Sequence, residues 1–135
     1  MIFIDSNIPM YLVGSSARHR AESRHMLESV IANGDRLVTN AEVLQEILHR
    51  YAAIRRLDAI QPAFDALLGV VDEVFPVTDV DVDRAKTILL GSAGERSARD
   101  AVHLATMERH RIPRIMTFDA GFDGYPGVTR VSPSA

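Results

Sequence analysis

The feature that most constrains this chain is the alternation of short apolar runs with longer segments of helical period. Met1-Ile2-Phe3-Ile4 opens the chain, and comparable runs recur at 37–38, 74–77, 114–118 and 128–131. The segments between them carry apolar residues every three or four positions, as an amphipathic helix requires. The spacing predicts helices over 7–13, 19–33, 41–57, 61–71, 79–90 and 98–110. Asn40 and Ser97 stand where N-caps are needed, Gly34 and Gly91 where helices stop, and Pro9 and Pro62 in first turns. Core-facing positions are expected at Ala21, Met26, Leu27, Val30 and Ile31, then at Val43, Leu44, Ile47, Leu48, Tyr51 and Ile54. Strands that alternate with helices build a parallel sheet with helices on both faces. The two most apolar strands, at Ile2 and Ile115, belong in its middle, and Pro76 sends the third strand to an edge.

A chain of 135 residues is expected to form one domain over 1–135, with a core of useful size. No apolar stretch approaches the length of a membrane span, and no signal peptide is expected ahead of the first strand. The absence of cysteine excludes disulfides, thiolate metal sites and a cysteine nucleophile, and fits a cytoplasmic protein. A net charge of -3 argues against a simple basic nucleic-acid-binding domain.

The acids carry the chemical signal. Asp5 follows the first strand, and Asp119 follows the fourth. In an open α/β sheet, ligands gather beyond the carboxyl ends of the strands where the winding reverses. Capping explains Asp5 alone, and a turn explains Asp119 alone; their joint placement on neighbouring strands favours a shared site. Glu46 borders the apolar stripe of its helix, whereas Glu42, one turn earlier, points further towards solvent. Asp100 fits a capping box with Ser97, yet it also borders the stripe of Ala98, Ala101, Leu104 and Ala105. Asp123 reads first as a turn residue. The five histidines show no paired ligand spacing, and His103 and His110 are expected to be partly exposed helix residues. No phosphate-binding glycine loop or nucleophile elbow is present.

Several carboxylates in one pocket repel each other and remain ionised only if a cation joins them. Mg²⁺ or Mn²⁺ prefers such oxygen donors, and an ion of this kind activates water and stabilises a phosphodiester's leaving oxygen.

Four short motifs, in order, resemble those of the PIN-domain ribonucleases, and specifically the VapC toxins of prokaryotic toxin–antitoxin pairs. They are Ile4-Asp5-Ser6-Asn7, Val43-Leu44-Gln45-Glu46-Ile47, Arg99-Asp100-Ala101 with Ala105 following, and Thr117-Phe118-Asp119 with Phe122 following. The resemblance implies a three-layer α/β/α fold with a five-stranded parallel sheet ordered 3-2-1-4-5. It implies metal binding and catalysis by Asp5, Glu46, Asp100 and Asp119, supported by hydrogen bonds from Ser6, Asn7 and Thr117, with Asp123 at the periphery. It further implies Mg²⁺- or Mn²⁺-dependent endonucleolytic cleavage of RNA such as tRNA, rRNA or mRNA, with growth arrest through blocked translation. The implied partners are a VapB-like antitoxin and a second copy of the chain, in a homodimer or a larger toxin–antitoxin assembly. Arg18, Arg20, Arg50, Arg96 and Arg99 flank the acidic segments and are candidates for holding the RNA backbone.

Two other readings compete. One is a catalytically silent PIN-like module that binds RNA or protein. The other is a phosphatase or receiver-like domain with Asp5 as a phosphorylated nucleophile; a phosphatase would carry an acid two residues later, where Asn7 stands.

Overall fold

A computed structural model describes residues 1–131. Five strands, β1 (Ile2–Ile4), β2 (Leu37–Asn40), β3 (Glu73–Phe75), β4 (Arg114–Met116) and β5 (Thr129–Val131), form one sheet in the order β3-β2-β1-β4-β5. Every pairing is parallel, and Phe3 lies opposite both Val38 and Ile115. Six helices connect the strands: α1 (Asn7–Val13), α2 (Ala17–Ala32), α3 (Ala41–Ala53), α4 (Ile60–Leu68), α5 (Asp79–Gly91) and α6 (Ala98–His110). Single 3₁₀ turns lie at Leu57–Ala59 and Ala120–Phe122.

The order follows from burial. Ile2, Phe3 and Ile4 of β1 are fully enclosed, as are Ile115 and Met116 of β4, so these two strands need cover on both faces and take the centre. The less enclosed β3 and β5 take the edges. Parallel crossovers are right-handed. Winding outward from β1 through β2 to β3 therefore puts α1–α4 on one face, and returning to β4 puts α5 and α6 on the other. The winding reverses between β1 and β4, which opens a crevice at their carboxyl ends.

Several boundaries differ from the sequence expectation. Helix α2 starts at Ala17, two residues early, because Ser16 Oγ accepts the His19 amide hydrogen at 3.3 Å. On α2, Ala21 is exposed, Ile31 is half exposed, and Ser23 takes a core position. Helix α3 ends at Ala53 rather than 57, where Arg55 turns left-handed at φ 57°, which leaves Ile54 beyond the helix and exposed; Leu48, within α3, also faces solvent. Helix α4 spans Ile60–Leu68 rather than 61–71. Strand β4 stops at Met116, so Thr117, Phe118 and Asp119 form the outgoing loop rather than its last residues.

Candidate metal centre

Each of the four acids stands on a different element. Asp5 leaves β1, with its backbone held by the Met116 carbonyl at 3.1 Å. Asp119 leaves the loop after β4. Glu46 sits in the middle of α3, whose start is fixed by Asn40 Oδ1 accepting from the Val43 amide at 3.0 Å. Asp100 lies in the first turn of α6, where Ser97 Oγ accepts its amide hydrogen at 3.1 Å. Only this half of the expected capping box forms there; a complete one forms at α5 between Thr78 and Asp81.

Asp5 is nearly enclosed, and both of its oxygens are addressed. Oδ1 accepts from the Ser6 amide at 2.7 Å, and Oδ2 accepts from Thr117 Oγ1 at 2.7 Å. Thr117 is saturated in turn, since its oxygen also accepts from Asn7 Nδ2 at 3.0 Å and from the Asp119 amide at 3.1 Å. Asn7 Oδ1 accepts from the Phe118 amide at 3.3 Å, which ties α1 to the β4 loop. One hydroxyl and one amide thus join Asp5, at the end of β1, to the loop that carries Asp119.

Glu46 is buried and held from two sides. Ser6 Oγ donates to Oε2 at 2.9 Å, and His103 Nε2 donates to Oε1 at 2.5 Å. The oxygens of Asp5 and Glu46 and the ring nitrogen of His103 lie within 4.8 Å of one another. His103 is completely buried, against the expectation of partial exposure, because its i+1, i+2 and i−2 neighbours pack inward and the ring rests on Phe3 at 5.1 Å. His110 remains partly exposed and stacks on Phe75. Glu42, one turn before Glu46 on α3, is partly exposed.

The charges show what the pocket lacks. Burial pushes the Asp5 carboxyl above the ordinary range, although His103 and Thr117 pull it down. Burial, followed by repulsion from Asp5 and Asp119, pushes Asp100 up to about 6. Burial would raise Glu46 too, but the His103 hydrogen bond and charge, Ser6 and Arg99 outweigh it and leave Glu46 below its usual value. Burial also opposes charging the His103 ring, yet Glu46, Asp5 and Asp100 together raise its basicity. Among the described residues no Lys or Arg forms an ion pair with Asp5, Glu46, Asp100 or Asp119. Hard oxygen donors that repel one another, with no arginine or lysine paired to them, suit a divalent cation such as Mg²⁺ or Mn²⁺.

The remaining candidates lie further out. Asp119 is exposed, and its Oδ1 accepts from the Gly121 amide at 2.8 Å. Asp123 does not enter the acidic group; its two oxygens receive Arg130 Nε and Nη2 at 3.0 and 3.1 Å. Arg130, which the sequence did not single out, also reaches the Thr117 carbonyl at 3.5 Å. Arg18 pairs with Glu22, and Arg20 donates to the Gly14 carbonyl. Arg96 donates to the Gly121 carbonyl and lies 5.0 Å over the Tyr125 ring. Arg50 and Arg99 are exposed, and the charge of Arg99 acts on Glu46.

Asp5 and Glu46, with His103 between them, lie together where a parallel sheet reverses its winding. The PIN domain profile matches residues 2–128, and the chain belongs to that family. Among its relatives, ribonuclease VapC13 of Mycobacterium tuberculosis is 58% identical over 132 residues, covering 98% of this chain and 100% of that protein. Ribonuclease VapC23 of the same species is 40% identical over 119 residues, covering 88% and 93%. Among solved structures, M. tuberculosis VapC20, described as a sarcin-ricin loop cleaving toxin, superposes with a TM-score of 0.75 at 25% identity, covering 95% and 98% of the two chains. VapBC2 from Rickettsia felis, solved on a DNA fragment of its promoter, gives 0.73 at 16% identity over 97% and 98%, a likeness of fold.

Proposed function

We propose that this protein is a divalent-metal-dependent endoribonuclease that acts as a VapC-type toxin on cellular RNA and thereby blocks translation. The observation that carries the proposal is the grouping of Asp5 and Glu46 with His103 within 4.8 Å, beside an Asp100 carboxyl that burial and the charges of Asp5 and Asp119 push up to about 6. Near-complete alignment with relatives named as ribonucleases supports RNA as the substrate. Mg²⁺ or Mn²⁺ supplies Lewis acidity and water activation when bound. The chain supplies the rest: Asp5, Glu46, Asp100 and Asp119 are the proposed oxygen ligands, and Thr117 and Asn7 join Asp5 to the loop that carries Asp119. Arg99, whose charge acts on Glu46, is the proposed contact to backbone phosphates.

The likeness to toxin–antitoxin proteins supports a VapB-like antitoxin as a partner, and a cytoplasmic setting with it. Leu48, Ile54, Leu57 and Leu68, and Val80, Val82 and Leu90 on α5, are exposed apolar side chains available for contact with an antitoxin or a second copy. No helix among the described residues is long and apolar enough to cross a membrane.

The test is incubation of total cellular RNA with the purified protein, with Mg²⁺ or with chelator, beside Asp5→Ala and Asp100→Ala. Discrete fragments that require metal and disappear in both variants support the proposal. Equal cleavage by all three proteins reveals a contaminant. Binding of RNA without cleavage by antitoxin-free protein favours the silent module instead.

A further inference from the structure

Behind the acids lies a buried polar chain that the sequence did not signal. Asn40, His103 and Thr106 are all fully enclosed. Asn40 Oδ1 accepts from the Val43 amide at 3.0 Å, which places the hydrogens of its amide on the other side. There Nδ2 meets Thr106 Oγ1 at 2.9 Å and His103 Nδ1 at 3.2 Å. The Thr106 hydroxyl hydrogen is directed to the Val102 carbonyl at 3.1 Å, so Thr106 accepts from Asn40 and confirms the amide's orientation from its far end. Turning the amide over would put its NH₂ against the Val43 N–H, two donors facing each other at a helix start. A hydrogen of Asn40 therefore faces His103 Nδ1, so two donors would collide there if the ring took the second proton that the surrounding carboxylates favour; the contact is met only by a bare, accepting Nδ1. The proton of the ring sits on Nε2, directed at Glu46 Oε1 at 2.5 Å.

We propose that His103 is a positioning residue of the metal site and not one of its ligands: Asn40 fixes its tautomer, and its Nε2–H fixes the Glu46 carboxylate. By distance alone, Asp5, Glu46 and His103 look like a three-ligand cluster. A nitrogen that carries a proton has no lone pair for a cation, so the histidine acts through Glu46. With Ser6 Oγ donating to the second oxygen, both Glu46 oxygens are oriented by protein donors before any ion arrives. The arrangement reverses the usual order, in which a carboxylate orients a metal-bound histidine. This inference rests on the metal-dependent reading above.

The experiment is long-range ¹H–¹⁵N correlation of the histidine rings in the full chain, before and after saturation with Mg²⁺, with His103 assigned by its loss in His103→Gln. The expected result is a bare Nδ1 and a protonated Nε2 in both states, while backbone amides around Asp5 and Asp100 shift as the ion binds. Loss of the Nε2 proton on adding Mg²⁺ makes the histidine a ligand and overturns the proposal, as does a proton on Nδ1 in either state. Absence of any amide shift removes the metal reading itself, an outcome separate from the tautomer seen without metal. Calorimetry with Mn²⁺ gives an independent readout. His103→Leu is expected to weaken binding roughly 10–100-fold, and His103→Gln, which keeps a donor, to recover most of it. Wild-type Mn²⁺ affinity in a folded His103→Leu variant overturns the proposal.

Discussion

Replacement of Asp100 by asparagine separates the electrostatic cost of the site from its use. The carboxyl rises from 3.8 to about 6 through burial and the nearby charges of Asp5 and Asp119. At ~1.4 kcal/mol for each tenfold change in proton affinity, that rise corresponds to about 3 kcal/mol. The side chain is partly open to solvent, and screening reduces the recoverable part to ~1–2 kcal/mol. The sign follows from linkage. The folded state holds this proton more tightly than the unfolded chain does, so stability falls as pH rises from about 4 to about 6, and the deficit persists above. Asparagine cannot ionise, and it keeps the backbone amide that Ser97 accepts. Asp100→Asn should therefore be more stable than wild type by ~1–2 kcal/mol at pH 7.5, and by little at pH 4, in urea unfolding without divalent ions. Saturating Mg²⁺ should reverse the order, because a ligand stabilises the state that binds it. A gain that does not change with pH, or equal Mg²⁺ stabilisation of both proteins, would refute this electrostatic account of the pocket.

Three further outcomes follow from individual contacts. Ser23 has a buried hydroxyl without a hydrogen-bond partner among the described residues, so Ser23→Ala should raise stability by ~1 kcal/mol in chemical denaturation. Thr117→Val removes the hydroxyl that joins Asp5, Asn7 and the Asp119 amide; it should cost ~2 kcal/mol in the denaturation midpoint and abolish RNA cleavage. Arg111 closes α6 in a left-handed conformation at φ 56°. Arg111→Gly should therefore leave stability unchanged or raise it by up to ~1 kcal/mol in thermal unfolding.

The sheet was readable from the sequence because its information is local and one-dimensional. The apolar runs at Ile2 and Ile115 are short and uninterrupted, and full burial of both strands follows from their placement at the centre. Pro76 marked the edge for a related reason: β3 stops at Phe75, just ahead of a residue with no amide to donate. Helix ends were less readable. The periodic apolar pattern of α3 continues through Ile54, but the chain turns at Arg55, and nothing in the side-chain pattern encodes a left-handed backbone at an arginine. Ala21 and Ile31 show the limit of a single-helix view, since the face that α2 buries is set by its neighbours and includes Ser23.

In the site, the four acids were identifiable as types at strand ends and stripe borders. Their support was not. Asn40 reads as a helix cap and is one, but its amide also reaches across to α6. His103 lies three residues after Asp100, hence on the same side of α6; that spacing was the available signal, and it does not distinguish a solvent-facing ring from one closed over by β1. Long-range hydrogen bonds such as Asn7 to Thr117, separated by 110 positions, leave no local pattern. Asp123 shows the converse: a carboxylate near the motif in sequence that the fold commits to Arg130.

The most direct test of the account is a crystal of this protein grown with Mn²⁺ and measured for anomalous scattering. The account predicts a peak bounded by the carboxylates of Asp5, Asp100 and Asp119, with Glu46 alongside and His103 still directed at Glu46. A peak on the His103 ring nitrogen, or none in this crevice at saturating Mn²⁺, would contradict it.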